Sequence, residues 1–195
     1  MKDSMESKSQ ALQDVFVSQL VTENKTYIEI GGYHPVKWSN TYNLEMTGWR
    51  GISIELNVEY KKLWTTHLER KNKIYWEDAC HFDYTKALAE NNLPMHIGYL
   101  SCDIEPPENT FAALQQVISQ GITFDCITYE HDNYASKKDW NSIASEYLIK
   151  HNYKAVVHDV YPGNKKRKKF ETWFVKNNIE FESTTFEQWK LCLKT

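Results

Sequence analysis

Two groups of polar side chains stand where predicted strands end in the middle of the chain, and their types suit proton transfer or metal binding. The first group follows a strand-like run at 97–102, and the second closes the run at 124–130; the members are Asp103 and Glu105, then Glu130, His131, Asp132 and Asn133. If the two strands are neighbours, these side chains lie on one rim of a sheet. Asp103, Glu130 and His131 are therefore candidate catalytic residues, because a carboxylate or an imidazole can take a proton from a hydroxyl group.

The same three side chains, Asp103, Glu130 and His131, also form a candidate metal site. A divalent ion held there would lower the pKa of a hydroxyl group as a Lewis acid. A histidine ligand would favour manganese, zinc or iron over magnesium, which prefers oxygen ligands. A metal-free base and a purely structural role remain open, since acidic residues are common where loops begin.

A pair of glycines at the end of an earlier strand-like run predicts a ligand-binding turn. In the segment YIEIGGYHPVKWSN (27–40), Gly31 and Gly32 follow the strand directly and Tyr33 comes next. Glycine lets the backbone approach a ligand closely and permits positive φ. The G-x-G-x-x-G pattern that binds a pyrophosphate is absent, so the turn favours a cofactor without that group.

The next two predicted strands end in acids, as in nucleotide-binding folds. The first of them ends in Glu55 and Leu56, roughly 20 residues beyond the glycines, where an acid holds ribose hydroxyls. The second ends in the sequence WEDAC and supplies Asp78 and Ala79, where a carboxylate can meet an adenine amino group. Three successive strand ends of this kind indicate a nucleoside-containing cofactor.

Strand-like and helical segments alternate along most of the chain. The predicted strands are 27–30, 51–56, 73–76, 97–102, 124–130, 153–160 and 170–176, and the predicted helices are 58–70, 107–120 and 135–151. This order favours an α/β sheet with helices on both faces. The last two strands are joined by YPGNKKRKK, which is too short for a crossover helix, so they should form an antiparallel hairpin. Seven strands, mostly parallel with a closing hairpin, are the doubly wound Rossmann-like architecture of class I S-adenosylmethionine-dependent methyltransferases.

This cofactor explains the departures in the glycine turn. A sulfonium with an amino-acid tail favours carboxylates and backbone groups, and Glu29 and Gly31 are placed for both. Ser39 and Asn40, which follow the turn, can contact the tail; an N-cap role for Ser39 is the competing interpretation. Asp103, at the end of the fourth strand, is a further candidate cofactor-binding residue.

Length and composition are those of one globular domain covering residues 1–195, with a polar start and one helix in 1–25. The net charge of −3 disfavours a general attraction to nucleic acid or anionic membranes. No apolar run approaches the roughly 18 residues of a membrane span. Four scattered cysteines without C-x-x-C spacing favour neither a zinc site nor a disulfide framework, so a cytoplasmic location is expected.

Six segments in order resemble the FkbM-type methyltransferases over nearly the whole chain: SQALQDVF (9–16), YIEIGGYHPVKWSNTYNLE (27–45), GWRGISIELN (48–57), YLSCDIEPPE (99–108), ITYEHDN (127–133) and FETWFVKN (170–177). The resemblance implies O-methylation of a sugar, glycan or secondary-metabolite hydroxyl with S-adenosylmethionine as cofactor. It also implies that Gln13 and Asp14 cap the mouth of the active site, although an exposed helix face is equally compatible with the sequence. One departure concerns the segment after the fourth strand, where DIEPPE replaces the usual D-[IV]-E-G-x-E and is expected to alter the acceptor pocket.

Two other functions remain open. A nucleic-acid methyltransferase is disfavoured because no NPPY-like tetrad follows the fourth strand. A non-catalytic binding module with a methyltransferase fold is disfavoured by the acids at three cofactor strand ends. The basic run at 165–169 reads either as a solvated loop or as a surface for an anionic acceptor or phosphate backbone.

Overall fold

The computed structural model describes residues 6–193, so the first five residues of the predicted polar start lie outside the described part. The strands are β1 (Thr26–Ile30), β2 (Arg50–Ile54), β3 (Lys73–Tyr75), β4 (His96–Cys102), β5 (Thr123–Glu130), β6 (Tyr153–Val160), β7 (Glu171–Lys176) and β8 (Thr184–Thr185). The α-helices are α1 (Gln13–Leu20), α2 (Tyr42–Met46), α3 (Lys61–Thr66), α4 (Tyr84–Glu90), α5 (Pro107–Ser119), α6 (Trp140–Lys150) and α7 (Phe186–Cys192).

The strands form one mixed sheet in the order β3-β2-β1-β4-β5-β7-β6-β8. The first five pair in parallel, and β7 lies antiparallel between β5 and β6. The predicted closing hairpin is confirmed, and its short connection explains why no crossover helix forms. The predicted count of seven strands is wrong by one within the described residues. The eighth strand is two residues long, too short for any periodic signal, and pairs with Val157 and His158 of β6.

Each face of the sheet is covered by its own hydrophobic cluster. One cluster joins Ile28, Leu100 and Ile127 to residues of α4, α5 and α6. The other joins Tyr27 and Trp173 to residues of α1 and α7. Consecutive residues of a strand point to opposite faces, which is why Tyr27 and Ile28 enter different clusters. Burial on both faces accounts for the nearly continuous apolar runs that made these strands recognisable.

The helices differ from the prediction mainly at their ends. The predicted helix at 58–70 is a 3-10 turn at Val58–Tyr60 followed by α3, and Asn57 caps it as expected, accepting the Glu59 N–H at 3.0 Å. The predicted helix at 135–151 begins only at Trp140, where Asp139 accepts the Ser142 N–H. The short helices α2 and α4 were not predicted, and neither was α7. No helix in residues 6–193 combines the length and the apolar character needed to cross a bilayer.

The strand order reverses between β1 and β4. In such sheets the crevice outside the carboxyl ends of the strands is where ligands bind. The residues that follow β1 to β5 therefore bound the candidate site.

Candidate functional site

A cavity of about 580 Å³ opens at the carboxyl ends of β1 to β5, within the size range of small-molecule sites. Its walls include nine of the eleven residues predicted to bind a cofactor: Glu29, Gly31, Tyr33, Asn40, Glu55, Leu56, Asp78, Ala79 and Asp103. Gly32 and Ser39 are the two that do not line it. Glu130 also lines the cavity, together with Trp38 and Tyr60, which the sequence analysis did not single out.

The glycine turn after β1 is shaped by its contact with β4. Gly31 has φ of +95°, and a Cβ placed there would lie 1.7 Å from the carbonyl oxygen of Asp103. The N–H groups of Gly31 and Gly32 both donate to the Ile54 carbonyl at the end of β2. The Gly32 carbonyl accepts from the indole N–H of Trp64. Glycine at position 31 therefore lets two neighbouring strand ends close together beside the cavity.

Glu29 is held from behind by a buried arginine that the sequence analysis did not identify. The carboxylate accepts from Ser53 Oγ at 2.7 Å and lies 3.5 Å from Arg70 Nη2. Arg70 also pairs through Nε with Glu45 at 2.7 Å and is almost fully buried. Burial acts to lower the pKa of Arg70, but Tyr27 and the carboxylates of Glu29 and Glu45 raise it above its usual value. One cation thus compensates two buried carboxylates next to the cavity.

Glu55 presents a half-buried carboxylate at the end of β2. Its Oε1 accepts the Asn57 N–H at 2.7 Å. Burial raises the pKa of Glu55, while backbone N–H groups of Asn57, Tyr33 and Leu56 act in the opposite direction. The backbone therefore fixes the carboxylate, and unused lone pairs face the cavity where hydroxyl donors can reach them.

Asp78 lies on the far wall, after β3. Its Oδ2 is 2.8 Å from His81 Nδ1, and its Oδ1 accepts the Cys80 N–H. The hydrogen bond from His81 lowers the pKa of Asp78. His81 and the N–H group of Cys80 thus hold the aspartate in position.

Ser39 and Asn40 differ in their surroundings. Ser39 Oγ accepts the N–H of Tyr42 at 3.1 Å at the start of α2 and donates to Glu29, while the N-cap position of α2 is Thr41. Asn40 donates its amide to Ser101 Oγ at 2.9 Å, yet its Oδ1 is buried without a hydrogen-bond partner among the described residues. An unpaired acceptor in a cavity wall is costly unless a donor binds there. Asn40 is therefore suited to an ammonium group.

The inner end of the cavity carries a group of adjacent carboxyls. Asp103 and Glu130 lie within hydrogen-bonding reach of each other, and Asp132 lies next to Glu130. Burial raises the pKa of Asp103 to about 6 and raises that of Glu130 further above its usual range. Two carboxyls this close oppose each other's ionisation, because each negative charge disfavours the other. Asp103 can therefore exchange a proton at a higher pH than an ordinary aspartate does.

Glu171 lies behind this pair at the start of β7. It is 1% exposed, and its Oε2 accepts from Gln13 Nε2 and Trp173 Nε1, both at 2.8 Å. Burial raises its pKa to about 8.

Asp14 is also buried and accepts from Ser7, Ser9 and Asn43. Gln13 and Asp14 therefore do not form an exposed helix face, and the nearby Gln10 is the residue from this segment that reaches the cavity.

His131 is buried away from the cavity, although it follows Glu130 directly. Its Nδ1 accepts the Asn133 N–H at 3.2 Å, and burial lowers its pKa to about 4. The N–H groups of His131 and Asp132 both donate to the Phe170 carbonyl, which draws this turn against β7. Within residues 6–193, no three His, Cys, Asp or Glu side chains are arranged to hold a metal ion. The structure thus brings Asp103 and Glu130 together without His131, and the predicted three-ligand set is not assembled.

Comparison with known proteins identifies the fold. No family model matches the sequence and no curated protein matches it, so the FkbM-type resemblance is not confirmed. The solved structures with similar folds include magnesium protoporphyrin IX methyltransferase from Synechocystis PCC 6803 with bound S-adenosylmethionine. That protein is 11% identical, with a TM-score of 0.54, and the match covers 84% of this chain and 77% of the other.

The names of two further matches describe other kinds of methyltransferase. The N-methyltransferase NodS from Bradyrhizobium japonicum WM9 is 9% identical, with a TM-score of 0.55 and coverage of 84% and 94% of the two chains. The "putative tRNA (m1A22) methyltransferase" of Streptococcus pneumoniae, in complex with S-adenosyl-L-methionine, is 13% identical, with a TM-score of 0.55 and coverage of 87% and 74%. At such identities the likeness shows the fold alone: the chain has the Rossmann-like fold of class I methyltransferases.

Proposed function

We propose that this protein is an S-adenosylmethionine-dependent methyltransferase that transfers a methyl group to a hydroxyl of a sugar, glycan or secondary metabolite. The observation that carries the proposal is the cavity itself, where acids from three successive strand ends face a pair of carboxyls with raised pKa values. Shared fold with methyltransferases supports the proposal but does not select the acceptor.

The cavity residues fit the cofactor part by part. Glu55 offers a charged acceptor for the two ribose hydroxyls, and Asp78 can accept from the adenine amino group. Asn40 Oδ1, buried and unpaired, together with Glu29 suits the ammonium group of the amino-acid tail. These are the residue types that a nucleoside with a cationic tail requires.

The reaction requires a group that accepts the hydroxyl proton and a cavity that orients the acceptor oxygen. When bound, the cofactor supplies an electrophilic methyl group on a sulfonium, which becomes a neutral thioether. Asp103, which lines the cavity beside Glu130, accepts the hydroxyl proton in this proposal as the acceptor oxygen forms its bond to carbon. The cavity walls hold the acceptor oxygen in line, which is a large part of the rate enhancement in such displacements.

Calorimetry with S-adenosylhomocysteine tests the cofactor assignment. We expect saturable binding to the wild type and a loss of about ten- to a hundred-fold in Glu55→Ala, because hydrogen bonds to a charged group contribute roughly 1.5–3 kcal/mol. Glu59→Ala is a matched control, since Glu59 is an exposed acid on the adjacent 3-10 turn and does not line the cavity. Absence of binding to the wild type would refute the cofactor assignment, and unchanged affinity in a folded Glu55→Ala protein would remove Glu55 from the site.

A methyl-transfer screen separates the remaining alternatives. We expect transfer to members of a sugar and glycolipid panel, with and without divalent ions. Cofactor binding without transfer to these acceptors or to RNA would instead support the binding-module alternative, and transfer to RNA alone would support the nucleic-acid methyltransferase.

A further inference from the structure

The loop between β6 and β7 presents the five consecutive bases Lys165 to Lys169 on the surface, all of them exposed. The loop is curled by its own backbone bonds, with the N–H of Lys165 donating to the Pro162 carbonyl at 3.0 Å and that of Lys168 donating to the Lys165 carbonyl at 2.8 Å. Asn164 to Lys168 line a concave surface on it. The bases are therefore carried on a turned scaffold.

Two of the five bases fasten the loop to the rest of the protein. Lys166 Nζ lies 3.4 Å from Glu187, and Lys169 Nζ lies 2.8 Å from Asp159. Lys165, Arg167 and Lys168 form no ion pair with any residue in 6–193. We call these three side chains the unpaired bases.

One of the unpaired bases, Lys168, lies next to the acidic end of the cavity. Lys168 Nζ is 5.1 Å from the centre of the Tyr134 ring, and Tyr134 is half-exposed. The Tyr134 hydroxyl is adjacent to the Asp132 carboxyl, which in turn adjoins Glu130 at the cavity wall. Tyr134 thus bridges the basic loop and the place where the hydroxyl proton would be accepted.

We propose that the unpaired bases bind a phosphate monoester on the methyl acceptor. This inference rests on the proposed function, since it names the acceptor's chemical class for the same site. The phosphate is a binding handle and is not altered: its oxygens accept from Lys165, Arg167 and Lys168 while the acceptor's hydroxyl reaches Glu130 and Asp103 across Tyr134.

Charge and geometry favour a monoester over other anions. A dianionic group with three terminal oxygens can use three cationic donors at once, whereas one carboxylate would leave most of them without an acceptor. A longer polyanion such as RNA would have to pass exposed Glu105, which lies on the cavity wall near Asp103, and the chain's net charge of −3 gives no general attraction for it.

The test is a titration of the 15N-labelled full chain, saturated with S-adenosylhomocysteine, with ribose 5-phosphate at constant ionic strength. We expect saturable chemical-shift changes at the backbone amides of 163–168 and of Tyr134. Ribose alone should produce none of these changes.

Two triple variants give the comparison. Lys165→Gln with Arg167→Gln and Lys168→Gln should weaken ribose 5-phosphate binding by about tenfold or more, because charge-assisted contacts are removed. The charge-matched control replaces Lys25, Lys73 and Lys150 by glutamine. All three are exposed and lie at or just before the starts of β1, β3 and β6, far along these strands from the cavity, and they form no ion pair within residues 6–193. The control should bind like the wild type.

Absent or non-saturable shifts, or equal binding by both triple variants, would overturn the inference. Equal affinity for glucuronate would show that the loop binds any anion and does not select a phosphate. Tighter, strongly salt-dependent binding of an RNA oligonucleotide would show that the loop binds a polyanion. Either result refutes the proposal as stated. Binding of S-adenosylhomocysteine in the same samples keeps the proposals distinct. If S-adenosylhomocysteine binds and the phosphate does not, only this inference fails. If the phosphate binds and S-adenosylhomocysteine does not, the proposed function fails and with it the acceptor role of the loop.

Discussion

Replacing Glu171 by glutamine should remove a large part of the pH dependence of stability. Burial raises the pKa of Glu171 to about 8 from a usual value of 4.5. Between these values the native state holds a proton that the unfolded state has released, so the free energy of unfolding decreases as the pH rises through this window. Below pH 4.5 both states are protonated and the effect disappears.

The magnitude follows from the width of the window. The interval from 4.5 to about 8 at 1.36 kcal/mol per pH unit corresponds to at most about 5 kcal/mol, a large fraction of a typical folding free energy. Glutamine imitates the neutral acid, since its carbonyl oxygen can accept from Gln13 and Trp173 as Glu171 Oε2 does. We expect the variant to match the wild type at pH 5 and to exceed it by up to about 5 kcal/mol at pH 9.

Urea unfolding followed by circular dichroism at pH 5, 7 and 9 measures this difference, with the m-value checked for constancy. Glu182→Gln is the control, because Glu182 is exposed and its loss should leave the profile as it is. Parallel stability curves for Glu171→Gln and the wild type would refute the reasoning, and so would a variant that is equally destabilised at every pH.

Two further predictions concern catalysis and the basic loop. Burial raises the pKa of Asp103 to about 6, so turnover should rise with pH through this value as the base ionises. Asp103→Asn should lower turnover by about 10²–10⁴-fold while S-adenosylhomocysteine still binds. A flat pH profile of turnover, or activity that is lost with chelator and recovered with manganese, would contradict metal-free base catalysis by Asp103. Trypsin should cut first within 165–169, because these exposed bases stand at a loop tip; mass spectrometry of early fragments checks this, and a first cut elsewhere would show that the loop is protected.

The strands were predictable because most of them are buried on both faces and therefore read as apolar runs. The placement of Glu29, Glu55 and Asp78 followed from the same strands, since the carboxyl ends of parallel neighbours meet at one edge. The short elements were not predictable: β8 has two residues and α2 has five, and neither length supports a period. Their positions depend on tertiary contacts rather than on local pattern.

Arg70 and His131 show what sequence pattern cannot supply. Arg70 forms ion pairs with Glu29 and Glu45, which lie 41 and 25 residues earlier in the chain. No sequence periodicity relates residues that are so far apart. His131 was placed at the site because it follows Glu130. The insertion of β7 beside β5 brings the Phe170 carbonyl to this turn, and His131 is buried against it instead of facing the cavity. Both outcomes depend on which strands become neighbours.

The acids around the cavity are stabilised in two different ways, and the difference bears on what can bind. Glu29 has an arginine partner and Glu55 has backbone N–H donors. Asp103 and Glu130 form no ion pair with any lysine or arginine in residues 6–193, and burial raises the pKa of both. A cation bound beside them would favour their ionised form, as a sulfonium does before methyl transfer and a thioether does not. At the rim the sign is reversed, because the unpaired bases are cations that form no ion pair in residues 6–193. The carboxyls inside the cavity therefore favour a bound cation, and the bases at the rim favour an anion on the acceptor. The proposed cofactor and the proposed phosphate handle both fit this distribution of charge.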